Sequence, residues 1–208
     1  MHALDRLIIA FDRALRTVAA PARAHRASPA CDVPDAPLTP AEKRETGRLM
    51  RINHTGEICA QALYQGQALT ARVPANRAAL ESAAREEEDH LAWCQARIQE
   101  LGGRVSWLNP FWYAGSLALG VLAGVAGDRW NLAFLKETER QVEAHLAGHL
   151  VRIPGQDART RAILARMKTD EAGHAALAAQ LGAAEFPAPV KWAMAWSSRL
   201  MTRTVYWV

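Results

Sequence analysis

The stretch Arg85-Glu86-Glu87-Glu88-Asp89-His90 decides the fold of this 208-residue chain. It contains the pair Glu87-x-x-His90, and a second pair, Glu171-x-x-His174, follows later in the chain. On an α-helix, residues i and i+3 share a face, so each pair points a carboxylate and an imidazole the same way. Apolar residues recur at helical spacing through both pairs, which predicts that both face a core. A single pair is also typical of a core histidine beside a solvated glutamate, but here the pattern occurs twice.

A glutamate upstream of each pair lies on a similar apolar stripe: Glu57 before the first and Glu139 before the second. Each interval contains one turn signal, Val73-Pro74 or Pro154-Gly155. This internal repeat of helix, turn and helix predicts an all-α, ferritin-like four-helix bundle with a metal site inside it. Carboxylates and imidazoles together suit iron or manganese. The predicted ligands are Glu57, Glu87, His90, Glu139, Glu171 and His174.

Several other polar residues are candidates for supporting this site. Metal-bound histidines usually donate their second ring N–H to a carboxylate. Asp170 and Glu86 occupy matching positions of the repeat, and we expect Asp170 to support His90 and Glu86 to support His174. His145 and His149 have the i, i+4 spacing of a separate metal site. We expect instead that His145 supports the ligands and that His149 is structural.

Composition restricts the class of protein. Half of the residues are hydrophobic, and the length allows one domain with a sizeable core. The net charge of +4 suits an anionic membrane surface as well as nucleic acid, but no nucleic-acid-binding motif accompanies it. The cysteines are odd in number and form no C-x-x-C, which indicates a reducing compartment and argues against a disulfide or zinc framework. They are Cys31, Cys59 and Cys94.

The chain divides into an N-terminal segment, residues 1–38, and the predicted bundle, residues 39–208. Residues 1–20 predict a short amphipathic helix with Leu4 and Leu7 on its apolar side. This helix is too short and charged for a signal peptide, and its acids argue against a transit peptide. Prolines in residues 21–38 predict a linker.

Helix signals mark out the bundle. The sequence Thr39-Pro40-x-Glu42 is a capping box, which starts a first helix that runs to about residue 71. A second helix is predicted from about residue 76 to the glycines at 102–103. Asp128 is expected to cap a later helix, and Gln156 or Asp157 to open the next, which ends near residue 182.

Two segments suit a membrane surface. Residues 105–127 carry no charge, but Pro110 interrupts them and leaves fewer apolar residues than the roughly 20 that a span needs. A fully buried helix and a membrane-contacting helix both fit this segment. In it, Gly120-x-x-x-Gly124 permits close helix approach. Residues 187–208 predict a basic, aromatic amphipathic helix that either lies in a membrane interface or packs on the bundle.

Motifs over residues 40–208 resemble those of the demethoxyubiquinone hydroxylases of ubiquinone biosynthesis. They are Arg51-Ile52-Asn53-His54-Thr55-Gly56-Glu57, Glu139…Glu143-Ala-His145-Leu, Asp170-Glu171-x-x-His174 and Met201-Thr-Arg-Thr-x-Tyr206-Trp207. The resemblance implies two iron ions (Fe²⁺/Fe³⁺), bound by the six predicted ligands. It implies a monooxygenase that hydroxylates the ring of a polyprenylated quinone, 3-demethoxyubiquinol or its quinone, with dioxygen.

The same resemblance implies peripheral attachment to a membrane surface. We expect the cytoplasmic face of a bacterial cell membrane, in preference to the mitochondrial inner membrane, and partners among the proteins of ubiquinone biosynthesis. Other functions stay open on the same bundle. They are an iron-storage or ferroxidase protein, a manganese catalase or rubrerythrin-like peroxidase, and a non-enzymatic scaffold of a membrane complex. The apolar segment argues against storage, and the scaffold would leave six aligned ligand-type residues as coincidence.

Overall fold

A computed structural model describes residues 3–208, apart from the side chains of Ala3, Leu4, Arg6, Leu7 and Ala10. The described part of the chain is helical, without a strand, and is a ferritin-like bundle. Its helices are α1 (Ala3–Ala19), α2 (Pro40–Thr70), α3 (Pro74–Glu100), α4 (Asn109–Val125), α5 (Asp128–Arg152), α6 (Ala158–Gln180) and α7 (Ala188–Val205). Helices α2 and α3 form one hairpin of the bundle and α5 and α6 the other, while α4 packs along α2.

The helix starts follow the predicted chemistry in two cases of three. The Oγ1 of Thr39 accepts the backbone N–H of Glu42, whose carboxylate accepts the N–H of Thr39, so the predicted capping box is confirmed. The carboxylate of Asp157 accepts the N–H of Thr160 at 3.1 Å and caps α6. The predicted cap at Asp128 is wrong. This residue is the first of α5, and its carboxylate accepts two backbone N–H groups of the turn between α2 and α3.

Two apolar clusters fill the bundle at opposite ends. Along each of the four bundle helices, the predicted metal ligands fall between residues of one cluster and residues of the other. The first cluster includes Leu49, Met50, Trp93, Cys94, Ile98, Leu146, Leu164 and Met167. The second includes Ala60, Tyr64, Leu80, Ala83, Leu132, Leu135 and Ala178. The polar ligands are therefore enclosed by apolar packing along the bundle axis.

Helix α4 is buried on one face only. Its buried residues are Asn109, Tyr113, Ser116, Gly120 and Gly124. The other face exposes Phe111, Leu119, Leu122 and Val125, with exposed fractions between 46% and 68%. The interpretation of residues 105–127 as a fully buried helix is therefore wrong. The expected interruption at Pro110 is confirmed: α4 begins only at Asn109, and the proline lies in its first turn, where its missing N–H costs nothing.

The close helix approach predicted for Gly120 and Gly124 is confirmed. A Cβ at Gly120 would collide with the backbone of Leu63, and one at Gly124 with the side chain of Thr70, both on α2. Within the part of the chain that the structure describes, no helix combines the length and apolarity needed to span a membrane.

The N- and C-terminal helices lie outside the bundle core. In α1, Ile8, Phe11 and Leu15 are exposed, while the predicted apolar side chains of Leu4 and Leu7 lie outside the described residues. In α7, Trp192 and Trp196 are exposed at 67% and 56%. The segment predicted to be a linker, residues 21–38, makes several hydrogen bonds to α3.

Candidate metal centre

All six predicted ligands converge at the middle of the bundle, and each bundle helix contributes to the cluster. Helix α2 supplies one glutamate and α5 another, while α3 and α6 each supply a Glu-x-x-His pair. Every one of these residues is buried, with at most 6% of its surface exposed. The residues are Glu57, Glu87, His90, Glu139, Glu171 and His174. Helical periodicity thus places six distant residues at one point.

The cluster consists of two overlapping groups that share Glu87 and Glu171. The first group adds Glu57 and His90, and the second adds Glu139 and His174. Within each group, one ligand-type atom from every residue lies within 4.8 Å of the others. The geometry therefore suits two metal ions, with the two shared carboxylates able to contact both.

Both histidines point Nδ1 into the cluster. The Nδ1 of His90 lies 3.0 Å from Glu87 Oε2 and 3.3 Å from Glu171 Oε1. The Nδ1 of His174 lies 3.3 Å from Glu87 Oε1 and 3.2 Å from Glu171 Oε2. Each imidazole thus lies against both shared carboxylates. The near-symmetry follows from the sequence repeat, because the two Glu-x-x-His pairs occupy equivalent positions of the two helical hairpins.

The outer nitrogens of these rings face acids, as predicted. The Nε2 of His90 makes a 3.0 Å hydrogen bond with Asp170 Oδ2, so the predicted support is confirmed. The Nε2 of His174 faces Glu86 Oε2 at 3.6 Å, which is longer than a hydrogen bond. An acid on Nε2 fixes the tautomer in which Nδ1 is free to bind a metal.

The electrostatics of the cluster disfavour the charged form of two of its carboxylates. Burial, reinforced by repulsion from Glu87, raises the pKa of Glu57 well above its usual value. Burial and the neighbouring Glu171 raise the pKa of Glu139 in the same way. Burial by itself lowers the pKa of His174, but hydrogen bonds to Glu171 and Glu87 outweigh it and raise this pKa to about 11. The site therefore favours bound positive charge.

This residue set fits a pair of divalent cations. Four glutamates carry up to four negative charges, which two divalent ions would balance. Glu87 Oε1 is fully buried, and its 3.3 Å contact with His174 Nδ1 lacks the geometry of a regular hydrogen bond. A buried carboxylate oxygen without a regular hydrogen bond is costly, and a metal ion would satisfy it. Oxygen and imidazole donors without thiolates favour iron or manganese over softer metals.

Sequence reasoning missed a tyrosine at the site. The hydroxyl of Tyr64 donates a hydrogen bond to Glu139 Oε1, and its ring lies edge-on to His174 at 6.5 Å between centroids. Tyr64 lies two turns after Glu57 on the same apolar stripe, which is the signal that was available. A buried tyrosine needs a hydrogen-bond partner, and a ligand two turns away offers one.

The other candidate histidines belong to neither of the two ligand groups. The rings of His145 and His149 lie against each other, 4.0 Å between centroids, and burial lowers the pKa of both. Burial also lowers the pKa of His54 to about 4. The expected support of the ligands by His145 stays a prediction. The cysteines are all free thiols.

Comparison with known proteins gives one family and several relatives. The family described as "Ubiquinone biosynthesis protein COQ7" matches residues 44–205. A Nitrosomonas europaea protein named 3-demethoxyubiquinol 3-hydroxylase is 63% identical over 205 residues, 99% of each chain. A Nitrosospira multiformis protein of the same name is 58% identical over the full length of both chains. A Chromobacterium violaceum protein, again of that name, is 60% identical over 98% of each chain.

Proposed function

This chain belongs to the ubiquinone biosynthesis protein COQ7 family, and we propose from that premise that it is a 3-demethoxyubiquinol 3-hydroxylase. The substrate is 3-demethoxyubiquinol or its quinone, a polyprenylated ring, and the co-substrate is dioxygen. One oxygen atom replaces a ring hydrogen as a hydroxyl group, and the other becomes water with two electrons and two protons that a reductant supplies. Relatives of that name, which align with nearly the whole of this chain, support the assignment.

The observation that carries the chemistry is the pair of overlapping ligand groups. We propose that two iron ions bind here, one held by Glu57 and His90 and the other by Glu139 and His174. The shared residues, Glu87 and Glu171, would contact both ions. Iron bound by these carboxylates and imidazoles would supply the redox chemistry that reduces dioxygen, with electrons that an external reductant restores. These six residues are accordingly the proposed catalytic ligands.

The protein's own contribution is to position the ligands and exclude water. The apolar clusters on either side of the ligands limit entry of water along the bundle axis. Asp170 holds the proton of His90 Nε2, and Tyr64 holds Glu139 in place through its hydroxyl. Fixed ligands shielded from water would reduce reorganisation during the reaction and limit side reactions.

We propose that the protein binds the surface of a membrane, where its lipid-soluble substrate resides. The exposed apolar side chains of α4 and the exposed tryptophans of α7 support this, because amphipathic helices with aromatic and basic residues bind membrane interfaces. An apolar groove of about 390 Å³ lies between α4 and α5, lined by Leu119, Leu122, Ala123, Ala126, Trp130, Phe134 and Phe186. A polyprenyl tail suits such a groove. The proposed location is the cytoplasmic face of a bacterial cell membrane, among other proteins of ubiquinone biosynthesis.

Labelled dioxygen tests the reaction. The iron-loaded enzyme is incubated with a reductant, a short-tailed 3-demethoxyubiquinol and ¹⁸O₂, and the product ring is analysed by mass spectrometry. One labelled oxygen atom on the ring is expected. Label that enters from water instead would overturn the monooxygenase assignment. A parallel deletion strain should accumulate the demethoxy precursor, and wild-type chain should restore ubiquinone where Glu57→Ala does not.

Vesicle binding tests the membrane proposal. Vesicles of phosphatidylcholine and phosphatidylglycerol are sedimented with the protein. Replacing both Trp192 and Trp196 by serine should release most of the bound protein. A matched control is Val151→Ser, which removes an exposed apolar side chain from α5. Equal binding of the two variants would show that α7 is not the membrane contact.

A further inference from the structure

An irregular segment before the bundle is fastened to α3. We call residues 22–30 the strap. The backbone N–H groups of His25 and Arg26 both donate to Asp89 Oδ1, at 2.5 Å and 3.1 Å. The N–H of Ala22 donates to the side chain of Gln95 at 3.0 Å. The indole N–H of Trp93 donates to the carbonyl of Arg26 at 3.4 Å. Side chains of α3 thus replace the regular backbone pairing that the strap lacks.

The side chain of Arg26 reaches from the strap to two helices. Its Nε donates to Asp89 Oδ2 of α3 at 2.5 Å, and its Nη1 donates to Asp170 Oδ2 of α6 at 3.0 Å. Its guanidinium lies over the ring of Trp93, 5.1 Å from the centroid. The two carboxylates are almost fully shielded, with 3% and 8% of their side-chain surface exposed. One guanidinium therefore joins the two helices that carry the Glu-x-x-His pairs.

Both of these acids stand next to the metal centre. Asp89 directly precedes the ligand His90, and Asp170 directly precedes the ligand Glu171. The oxygen of Asp170 that accepts from Arg26 is the one that bonds His90 Nε2, also at 3.0 Å. A continuous chain of hydrogen bonds therefore runs from the strap through Asp170 to a ligand imidazole.

We propose that Arg26 is a positioning residue of the metal centre, and that docking of the strap and binding of metal stabilise each other. Arg26 holds Asp170 in the orientation that fixes His90, and the ordered ligand shell in turn presents the carboxylates that bind the strap. Because coupling between two binding events is reciprocal, each must strengthen the other by the same factor. This inference rests on the proposed metal site.

A second arginine near Asp170 does not link α6 to α3. Arg166 donates to both oxygens of Asp170 at 2.9 Å and 3.1 Å, but it lies one turn away on the same helix. It therefore restrains Asp170 within α6 and links nothing to α3. Arg26 comes from outside the bundle and ties α6 to α3 through its two-pronged geometry, which lysine cannot reproduce.

Anaerobic titration with Fe²⁺ tests the positioning role. Partners that orient metal ligands typically contribute ten- to a hundred-fold to metal affinity, so Arg26→Ala should weaken iron binding by about tenfold. The matched control is Arg23→Ala, the same change at an exposed position of the strap, and it should bind like the wild type. Should Arg26→Ala fail to fold, the pair Arg26→Lys and Arg23→Lys makes the same comparison, with several-fold weaker binding expected for the first.

Amide hydrogen exchange tests the reciprocal half. Loading the wild-type protein with Fe²⁺ should slow exchange at the amides of His25 and Arg26, which donate to Asp89. In Arg26→Lys the slowing should be lost at both amides. Equal iron affinity in the Arg26 and Arg23 variants, or exchange at these amides that iron does not change, would overturn the inference. A wild-type protein that binds no iron at all would instead overturn the proposed function, so the two failures are distinguishable.

Discussion

The contact between α2 and α4 gives a quantitative prediction at Gly66. This glycine of α2 faces the backbone of α4, and a Cβ built on it would lie 2.5 Å from the carbonyl oxygen of Leu117 and 2.6 Å from the nitrogen of Val121. Ordinary contacts of a Cβ begin at 3.4 Å. Because the neighbours are backbone atoms, no side-chain rotation relieves the clash. In Gly66→Ala the two helices must separate by roughly 1 Å, which is overpacking.

The change in the free energy of unfolding caused by Gly66→Ala is the difference between two opposing contributions. Overpacking of this kind costs about 1–3 kcal/mol, and backbone atoms on the facing side favour the upper end of that range. Alanine in place of glycine inside a helix returns about 1 kcal/mol. The expected net loss is about 2 kcal/mol. For a domain of this size, each kcal/mol shifts Tm by about 2–4 °C, so Tm should fall by about 4–8 °C.

The assay is thermal unfolding followed by circular dichroism at 222 nm. The matched control is Gly115→Ala, on the other helix of the contact. Position 115 is exposed, and a Cβ there meets no atom within 4 Å. In this control, only the higher helix propensity of alanine acts, which stabilises the protein by about 0.5–1 kcal/mol, so its Tm should rise slightly. If Gly66→Ala were as stable as Gly115→Ala, the close approach of α2 and α4 described above would be refuted.

Three further predictions concern the site and pH. Glu171→Ala removes a shared ligand, so iron content and activity should be lost, while circular dichroism shows most of the helix retained; full iron loading would contradict the ligand assignment. Tyr64→Phe removes the hydrogen bond to Glu139, and turnover of iron-loaded enzyme should fall about tenfold, as for other residues that orient metal ligands; unchanged turnover would show the bond to be incidental. Burial lowers the pKa of His149 to about 3, so below about pH 6.5 the unfolded chain binds a proton that the folded chain does not. The free energy of unfolding should therefore fall as the pH drops from 6.5 towards 3. In His149→Gln, this free energy, measured by urea unfolding, should fall less between pH 6 and pH 4. An equal slope in both proteins would contradict the buried neutral histidine.

Much of the bundle could be predicted because its information is local and periodic. Helical spacing put Glu87 and His90 on one face, and the repeat then identified their counterparts on α6. The capping box and the turn signals likewise depend on residues a few positions apart, which explains why the start at Thr39 was predicted correctly. Asp128 has the same residue type as a cap, but its partners are backbone groups more than fifty positions away in sequence.

Other features depend on contacts between distant segments and leave no periodic trace. The strap is irregular, and the prolines in and around it predicted only a linker. Its attachment requires Arg26 to meet Asp170, a pairing across most of the chain that neither sequence neighbourhood indicates. The burial of α4 on a single face was similarly ambiguous, because an uncharged segment carries no polar stripe to distinguish its two sides.

The most direct test of the central claim is to locate iron in crystals of the protein. Crystals are loaded anaerobically with Fe²⁺, and diffraction is measured on both sides of the iron absorption edge. We predict two anomalous peaks inside the bundle, one beside Glu57 and His90 and the other beside Glu139 and His174, with Glu87 and Glu171 in contact with both. A single peak, or iron bound only outside the six-residue cluster, would contradict the account.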